Sequence, residues 1–591
     1  MPARDLLIAK RRRTTLTLSR GPTSMIADSS HVQAEQIRTD FVTFPNRAGL
    51  KIAACLDHAG DLRGRPWVVI APKYGETKKN NLQTAYYLAM NGVNVLRFDM
   101  SNHVGESAGR MPQFTIPGAV DDIAGAFDYL ERELGVPRAG LLANSLSARM
   151  AIRATAQDRR IGYLVSLVGV VHVQRTLTVV YQEDVVGNFI AGKRWGVNDV
   201  LGFDIDFEHF LGALVDSGLH TLEGTAEDLA KIEAPVALLS AQKDAWVDIA
   251  EVRQVAARAR RVEFRPIKDA MHEVRENPEA AERTFREVVA LCLSWARGEE
   301  IGPDRVVIPD KRLYLRQNKI ERDRYRKANP DPTTETDFWS KYLGKYGYFE
   351  QVDVYQYYVA LVGELLGPFR PADVLLDAGC GNGLFGVWAL RQLLDKQLGP
   401  IDPPPFYLGI DLTHKGLLDA LQKHDRIRRD LVETAPARAT RMGLGYVQMD
   451  LDQFGGLRAA QEGLVDFAPA TFDKICCSLV ISYLRRPHDL LREFHRILKP
   501  GGRIVVTSMK PFADLSDLYR RYVEKHTGDQ EIESARDLLR AAGKIKVKEE
   551  QGYYTFFSGE ELCDAMHALG FRAAQATMSF GNQATVVSAE K

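Results

Sequence analysis

One serine in the first half of the chain has the surroundings of a nucleophile. Ser145 lies between an apolar run, residues 139–143, and a segment of helical periodicity, with the small residues Ala143 and Ser147 on either side. A sharp strand-to-helix turn raises such a hydroxyl above the sheet, and backbone N–H groups at the helix start can stabilise an oxyanion. The flanking positions usually hold glycines, and small residues at a tight turn can also serve packing alone.

An acid and a histidine follow in the order Ser, Asp, His, the order used by serine hydrolases of the α/β-hydrolase fold. Asp244 comes shortly after the apolar run 236–240, and His272 follows the next short strand pattern. In this arrangement Ser145 attacks, His272 takes its proton and later activates water, and Asp244 fixes the imidazole tautomer. The alternatives are a loop aspartate, with Asp248 as a nearby competitor, and a surface histidine.

The oxyanion hole is expected to use two backbone N–H groups. One belongs to Leu146, at the start of the helix after the serine. The other is expected in the loop after the apolar run 67–71, at Lys73 or Tyr74, because this fold takes its second donor from that loop.

The region around these side chains, roughly residues 45–290, resembles the acyl-transferase/thioesterase of bacterial luminescence operons, a branch of the α/β-hydrolase superfamily. The resemblance implies cleavage of long-chain acyl thioesters, with Ser145, Asp244 and His272 as the catalytic triad. Its A-x-S-L-S-A-R turn explains the missing glycines. The segments that carry the resemblance are 98–107, 142–149, 168–171 and 244–247.

Two segments depart from that family. The sequence of the loop 72–76 differs from the one usual in the family, so the residue that supplies the second oxyanion donor stays undecided. Residues 175–225 are predicted to form a cap inserted before the strand that leads to the acid. Aromatic side chains in the cap either line an acyl pocket or only pack the cap. They are Tyr181, Phe189, Trp195, Phe203, Phe207 and Phe210.

The second half contains a glycine-rich loop directly after a strand pattern that ends in an acid. Asp377 is followed by Gly379, Gly381 and Gly383, which allow the backbone to pass close to a ligand. The G-x-G-x-G spacing differs from the dinucleotide fingerprint, and a pyrophosphate would need a helix N-terminus without a nearby negative charge. S-adenosylmethionine (SAM) has a sulfonium, an amino acid and a ribose but no phosphate, so the acid suits it.

Further polar residues are expected at the same edge of the sheet. Asp411 ends the second strand of this half and is placed to accept both ribose hydroxyls. Asp450, with Leu451, is expected to end a third strand over 446–450 and to contact the adenine amine. Ser478 follows the fourth strand and opens a segment that would face the methyl group.

The order of D-A-G-C-G-N-G, Y-L-G-I-D, Q-M-D-L and L-K-P-G-G resembles class I SAM-dependent methyltransferases over roughly residues 340–590. The resemblance implies that Asp377, the three glycines, Asp411 and Asp450 bind the cofactor. Segments 511–550 and 336–368 are predicted to form the lid over the methyl acceptor. Tyrosines that line the acceptor pocket or the core are Tyr342, Tyr346, Tyr348, Tyr355, Tyr357 and Tyr358.

The sequence therefore predicts an α/β protein of two domains, an α/β-hydrolase fold with a cap insertion fused to a Rossmann-like methyltransferase fold. The predicted divisions are a disordered basic tail at 1–38, the hydrolase at 39–298, a linker at 299–335 and the methyltransferase at 336–591.

Composition limits the partners and the compartment. The 591 residues contain 77 Lys+Arg and 77 Asp+Glu, and this balance argues against a nucleic-acid partner. No apolar run has the length of a transmembrane helix. Six cysteines are too sparse for a disulfide scaffold or a zinc site, so we expect no metal and a reducing cytoplasm.

The predicted function is a bifunctional biosynthetic enzyme. One half cleaves an acyl or polyketide thioester carried by coenzyme A or an acyl carrier protein, and the other methylates an intermediate or product of the same pathway. The released carboxylate is one acceptor. The alternatives are an independent methyltransferase for a carrier-bound or aromatic acceptor, and a non-catalytic half that recruits a carrier protein.

Overall fold

The chain folds around two large sheets, one in each half. The computed structural model describes residues 37–591 apart from 61, 331–333, 344–351, 393–400, 435, 437–441, 455–466 and 527. Nearly all of the predicted tail, and Tyr346 and Tyr348, lie outside the described residues.

The first half contains an eight-stranded sheet of order β1-β2-β4-β3-β5-β6-β9-β10 and a separate two-stranded one, β7-β8. Its strands are β1 Ile37–Pro45, β2 Lys51–Ala59, β3 Trp67–Ala71, β4 Asn94–Phe98, β5 Ala139–Asn144, β6 Ile161–Leu167, β7 Val197–Val200, β8 Phe203–Asp206, β9 Val236–Ala241 and β10 Val262–Ile267. Its helices are α1 Leu82–Met90, α2 Ile116–Leu134, α3 Leu146–Gln157, α4 Val173–Tyr181, α5 Val185–Ile190, α6 Phe207–Asp216, α7 Leu222–Lys231, α8 Ile249–Ala257 and α9 Pro278–Arg297.

The first sheet is mixed, because it contains both parallel and antiparallel pairs of strands. Strands β3, β5 and β9 are buried along their whole length, as expected when helices cover both faces. Strand β2, however, runs antiparallel to β1 and β4. Polar and apolar residues are mixed along β1, an edge strand, so it contains no continuous apolar run. The elements from α4 to α7, with β7 and β8, form the predicted cap between β6 and β9.

The second half contains a seven-stranded sheet of order β13-β12-β11-β14-β15-β17-β16. Its strands are β11 Val374–Ala378, β12 Phe406–Asp411, β13 Gly443–Gln448, β14 Phe472–Cys477, β15 Leu498–Met509, β16 Arg572–Ser579 and β17 Ala584–Glu590. The helices from the linker onward are α10 Lys311–Ala328, α11 Glu335–Leu343, α12 Asp353–Leu366, α13 Leu384–Gln392, α14 His414–Thr434, α15 Pro487–Ile497, α16 Ser516–Lys525, α17 Asp529–Glu550 and α18 Gly559–Ala568.

The order of these strands reverses at β11. Strand β11 pairs in parallel with β12 on one side and with β14 on the other, so a crevice opens beyond its carboxyl end. Open α/β sheets bind ligands at such a switch point. The two predicted folds, an α/β-hydrolase with a cap and a Rossmann-like methyltransferase, are confirmed.

The segment predicted as a linker contains α10, which packs against the first half. The guanidinium of Arg97, fully buried, lies between the carboxylates of Asp57 (2.6 Å) and of Glu321 on α10 (2.5 Å). The predicted segment 299–335 is thus joined to the first half by a buried ion pair. None of the helices in the described ranges is both long and apolar enough to cross a membrane.

Candidate active sites at the junction of the two halves

The three predicted residues of the serine site form one hydrogen-bonded row. Ser145 Oγ lies 2.8 Å from His272 Nε2, and His272 Nδ1 lies 2.8 Å from Asp244 Oδ2. The His272 side chain is 13% exposed and that of Asp244 is 1% exposed. A hydroxyl, an imidazole and a buried carboxylate at these distances can transfer a proton from the hydroxyl to the ring.

The turn that carries Ser145 has the strained backbone of a nucleophile elbow. Ser145 has a φ of 55° and a ψ of −127°, between the end of β5 and the start of α3. Positive φ in a residue with a side chain is costly and persists only where its surroundings enforce it. The Ser147 hydroxyl accepts from the N–H of Asn144 (3.0 Å) and donates to its carbonyl (2.8 Å), which ties the turn together. Ser147 therefore has a structural use where a glycine is usual.

Asp244 and its competitor Asp248 have different surroundings. Asp244 Oδ1 accepts hydrogen bonds from the N–H groups of Trp246 (2.8 Å) and Val247 (3.0 Å), so its second oxygen is held towards His272. Asp248 instead caps α8 and forms an ion pair with Arg175 at 2.8 Å. The geometry joins Asp244, and not Asp248, to the histidine.

The loop after β3 offers backbone donors beside the serine. The N–H of Gly75 is occupied, because it donates to His103 Nε2 at 3.0 Å, and burial lowers the pKa of His103 to about 4, so that its ring stays neutral. Within the described part of the chain, the N–H groups of Leu146, Lys73 and Tyr74 donate to no protein acceptor. All three residues line the cavity at Ser145, so each predicted donor remains available.

The cavity at Ser145 has a volume of about 300 Å³ and is lined by both halves of the chain. Two of the six cap aromatics, Phe203 and Phe210, line it. Others pack the cap: the Tyr181 hydroxyl donates to the Asp199 carbonyl, and the Phe207 ring lies against its neighbours in the cap. Some of these aromatics therefore line the cavity at Ser145, and others pack within the cap.

A second cavity, of about 650 Å³, lies at the switch point of the second sheet. Gly379 has a φ of +79°, and a Cβ there would meet Val480 Cγ2 at 2.4 Å. Gly381 also has a positive φ and donates its N–H to Asp411 Oδ2 at 2.9 Å. Gly383 has a different surrounding: a Cβ would meet Ala420 of α14 at 2.7 Å, so this glycine lets two helices approach each other.

Asp377 is a buried carboxyl suited to a cationic ligand. Its side chain lines the cavity and accepts a hydrogen bond from the Tyr407 hydroxyl at 2.7 Å. Burial raises the pKa of Asp377 to about 7. A positive group bound nearby would stabilise the ionised form. The buried carboxyl of Asp377 therefore fits the positively charged part of SAM.

Asp411 retains room for one further donor. Oδ1 accepts from the N–H (2.8 Å) and hydroxyl (2.7 Å) of Thr413, while Oδ2 accepts only from Gly381 among the described residues. A carboxylate has about four acceptor positions. One hydroxyl of a ribose can be accepted here without rearrangement, whereas the sequence predicted two.

Asp450, the third predicted acid of the cofactor site, lies beyond the end of its strand and not within it. Strand β13 covers Gly443–Gln448, not 446–450, so Asp450 caps the short helical turn 451–453 by accepting the N–H of Asp452 at 3.0 Å. The predicted strand end was wrong because the ladder with β12 stops at Gln448, which pairs with Asp411. Asp450, Leu451 and Ser478 nevertheless all line the second cavity.

The predicted acceptor tyrosines separate by position. Tyr342 and Tyr355 line the second cavity, and the Tyr358 hydroxyl lies 2.6 Å from Ser478 Oγ. The Tyr357 side chain is exposed.

The two cavities are neighbours. Tyr342, Leu479 and Tyr483 line both of them, so the two cavities adjoin at these side chains. Sequence reasoning missed this juxtaposition, and it also missed Asp514 and Lys546, which line the serine cavity from the second half. No local pattern could have revealed contacts between residues more than 200 positions apart.

Known proteins match each half separately. A family described as "Acyl transferase" matches residues 62–288, and one described as "Methyltransferase domain" matches residues 348–576. An acyl transferase of Photobacterium phosphoreum is 31% identical over 195 residues, which are 32% of this chain and 61% of that protein. One of Photobacterium leiognathi is 30% identical over 229 residues, which are 34% of this chain and 72% of that protein. One of Vibrio harveyi is 29% identical and covers 40% of this chain and 78% of that protein.

Among solved structures, a Pyrococcus furiosus esterase has 18% identity and a TM-score of 0.34, and covers 47% of this chain and 100% of that one. A score of this size has no bearing on function, and the fold rests on the strand order above. The chain belongs to the acyl transferase family through its first half and carries a methyltransferase domain in its second.

Proposed function

We propose that this chain cleaves an acyl thioester at Ser145 and transfers a methyl group from SAM to the carboxylate that is released, giving a methyl ester. The observation that carries the proposal is that the serine cavity and the switch-point cavity adjoin at Tyr342, Leu479 and Tyr483. Two unrelated activities would have no need of neighbouring cavities.

The first reaction needs only the serine row and two backbone donors. Ser145 Oγ attacks the thioester carbonyl as its proton passes to His272 Nε2, and Asp244 stabilises the resulting imidazolium. N–H groups of Leu146 and of Lys73 or Tyr74 stabilise the oxyanion. The C–S bond breaks, the thiol leaves with the proton from His272, and an ester on Ser145 remains. Water, deprotonated by His272, then releases the acid and restores Ser145.

The second reaction needs positioning more than acid or base. Asp377, Asp411 and the backbone at Gly379 and Gly381 would hold SAM, which supplies an electrophilic methyl group. A carboxylate is already ionised at neutral pH and needs no base.

The substrate is proposed to be a hydrophobic acyl chain on coenzyme A or an acyl carrier protein. The serine cavity supports this class, because valine, leucine and phenylalanine side chains from the cap line it. A cytoplasmic location is supported by the six cysteines, all of them free.

A hydroxyl acceptor is the second candidate, and Glu549 favours it. This carboxyl lines the serine cavity, and burial and the neighbouring Glu550 raise its pKa, which would make it a stronger base than an ordinary glutamate. In this second case the methyl group goes to a hydroxyl on the chain, before or after release.

Product analysis by mass spectrometry tests both candidates. A panel of acyl thioesters is incubated with and without SAM, together with the Ser145→Ala and Asp411→Ala variants. Free acid without SAM and methyl ester with it are expected from the unaltered chain. Ser145→Ala should abolish both products. Asp411→Ala should still release the free acid but should form no methyl ester. Thioester cleavage that survives Ser145→Ala would contradict the serine assignment, and a methyl group on a hydroxyl would favour the second candidate.

A further inference from the structure

The cavity at Ser145 is completed by the methyltransferase half. One face of α17, a helix of the segment predicted as an acceptor lid, forms a wall of this cavity. Residues 539, 542, 546 and 549 recur every three to four positions and so share that face. The helix also touches the cap directly, because a Cβ on Gly543 would meet the Leu201 carbonyl oxygen at 2.1 Å. The acyl pocket therefore has walls from both halves.

Contacts beside the catalytic histidine hold this arrangement. Glu273, the residue after His272, donates its N–H to Asp514 Oδ2 at 2.9 Å, and both residues are buried. Lys510 Nζ lies 2.6 Å from Glu276 Oε2, which belongs to the same loop of the first half. Hydrogen bonds to charged groups are about twice as strong as neutral ones.

A second set of contacts lies on either side of the cavity. The Tyr519 hydroxyl donates to the Val180 carbonyl at 2.8 Å, and Asn80 Nδ2 donates to Glu550 Oε1 at 2.7 Å. Lys79 forms an ion pair with the same glutamate. The junction is thus tied at the cap, at the histidine loop and at the end of α17.

The charged groups at one corner of the cavity satisfy each other. Lys546 Nζ lies 3.5 Å from Glu76 and 3.6 Å from Glu273, and Lys73 Nζ lies 2.9 Å from Glu273. Most of the other lining side chains are apolar, among them Ile545 of α17, and Glu549 is one of the few polar exceptions. Such a wall favours an acyl chain over a polar ligand.

We infer that the junction is one reaction chamber, in which the acyl chain stays bound between the halves while its released carboxylate passes Tyr342 and Tyr483 to the methyl-transfer site without entering solvent. The inference rests on the proposed function and names the route between its two reactions. Neither half alone would have the complete acyl pocket, because α17 and the cap each supply part of its wall.

Isotope dilution tests the route. The full chain receives unlabelled acyl thioester and SAM together with an excess of the same free acid carrying ¹³C. Ester that carries almost only the unlabelled chain is expected. Ester with the isotope ratio of the free-acid pool would overturn the route while leaving the proposed function intact. Absence of any ester, from thioester or acid, would instead contradict the proposed function.

A second measurement tests the wall without SAM. Alkyl fluorophosphonates label an active serine covalently, and intact mass spectrometry counts the labelled chains. In Ala542→Trp the added ring fills part of the chamber at the α17 wall, so labelling by a long-chain probe should slow by about tenfold or more, while labelling by an ethyl probe stays unchanged.

Lys544→Trp is the matched control, because it puts the same ring on the exposed side of α17, and it should label like the unaltered chain with both probes. If Ala542→Trp lowers the melting temperature, Ala542→Leu is measured in its place. Equal labelling of all variants by the long-chain probe would overturn the assignment of α17 as a wall of the acyl pocket.

Discussion

The substitution Asp244→Asn tests the serine site at the residue whose hydrogen bonds allow the fewest alternatives. Oδ1 of Asp244 accepts two N–H groups, from Trp246 and Val247, while Oδ2 faces His272 Nδ1 at 2.8 Å. In the asparagine the remaining oxygen must stay with the two N–H donors, because an NH₂ group there would face only donors. The NH₂ then points at Nδ1 and forces the proton of the ring onto Nε2. His272 can no longer accept the proton of Ser145.

The expected loss in kcat for thioester cleavage is about 10⁴-fold, the size found when the triad aspartate of a serine protease is changed in the same way. Thiol release from an acyl thioester measures it, at saturating substrate and neutral pH. Asp248→Asn is the matched control, and it should stay within about twofold because its ion pair with Arg175 is partly exposed. If Asp244→Asn retained more than about a tenth of the activity, the proposed tautomer role would be wrong.

Three further outcomes are expected. Asp514→Asn, in the methyltransferase half, should lower kcat for thioester cleavage by about tenfold with little change in KM, because the Glu273 N–H beside the histidine loses a charged acceptor; an unchanged kcat would show that this contact does not position the histidine. Gly379→Ala should weaken SAM binding, measured by calorimetry, by more than about tenfold, because its φ of +79° is strained for alanine and the added Cβ would meet Val480. Undiminished binding would contradict the role of the Gly379 backbone in holding SAM. Asp377→Asn should alter the pH dependence of the melting temperature. The pKa of Asp377, raised to about 7, makes its ionised form costly, so the unaltered chain loses stability as pH rises from about 4 to 7 and the asparagine variant lacks that loss; parallel profiles would refute it.

Residues with a local signal were predictable from the sequence. The turn at Ser145 and the glycine loop after Asp377 each combine an apolar strand with small residues, and both stand where expected. Asp450 was predicted at the right edge of the sheet but as the last residue of its strand, whereas the strand stops at Gln448, because strand ends depend on pairing with β12. Gly383 matched a motif of cofactor sites, yet its surroundings are those of helix packing. A motif alone does not separate these two reasons for a glycine.

The junction had no comparable signal. The contact between Glu273 and Asp514 joins residues 241 positions apart, and neither stands in a pattern that names the other. The segment 511–550 was predicted to cover the methyl acceptor from its charge. Its helix α17 lines the serine cavity with both apolar and charged side chains, among them Ala542 and Glu549. A charge-rich segment indicates that one face of its helix is exposed to solvent. It does not tell which part of the protein the opposite face contacts.

The segment 299–335 between the halves influences how the fused chain can couple its two proposed reactions. A flexible linker would raise the effective concentration of one site near the other to roughly millimolar, without fixing their orientation. Here α10 is bound to the first half through Glu321, whose carboxylate reaches the fully buried Arg97 at 2.5 Å. Removing one partner of a buried ion pair costs about 3–5 kcal/mol, because the other charge is left buried without a partner. Its far end then leads into α11, whose Tyr342 lies in the wall between the two cavities. The docked helix thus adds a contact to those at the histidine loop and at α17, and together they join the two halves around the neighbouring cavities.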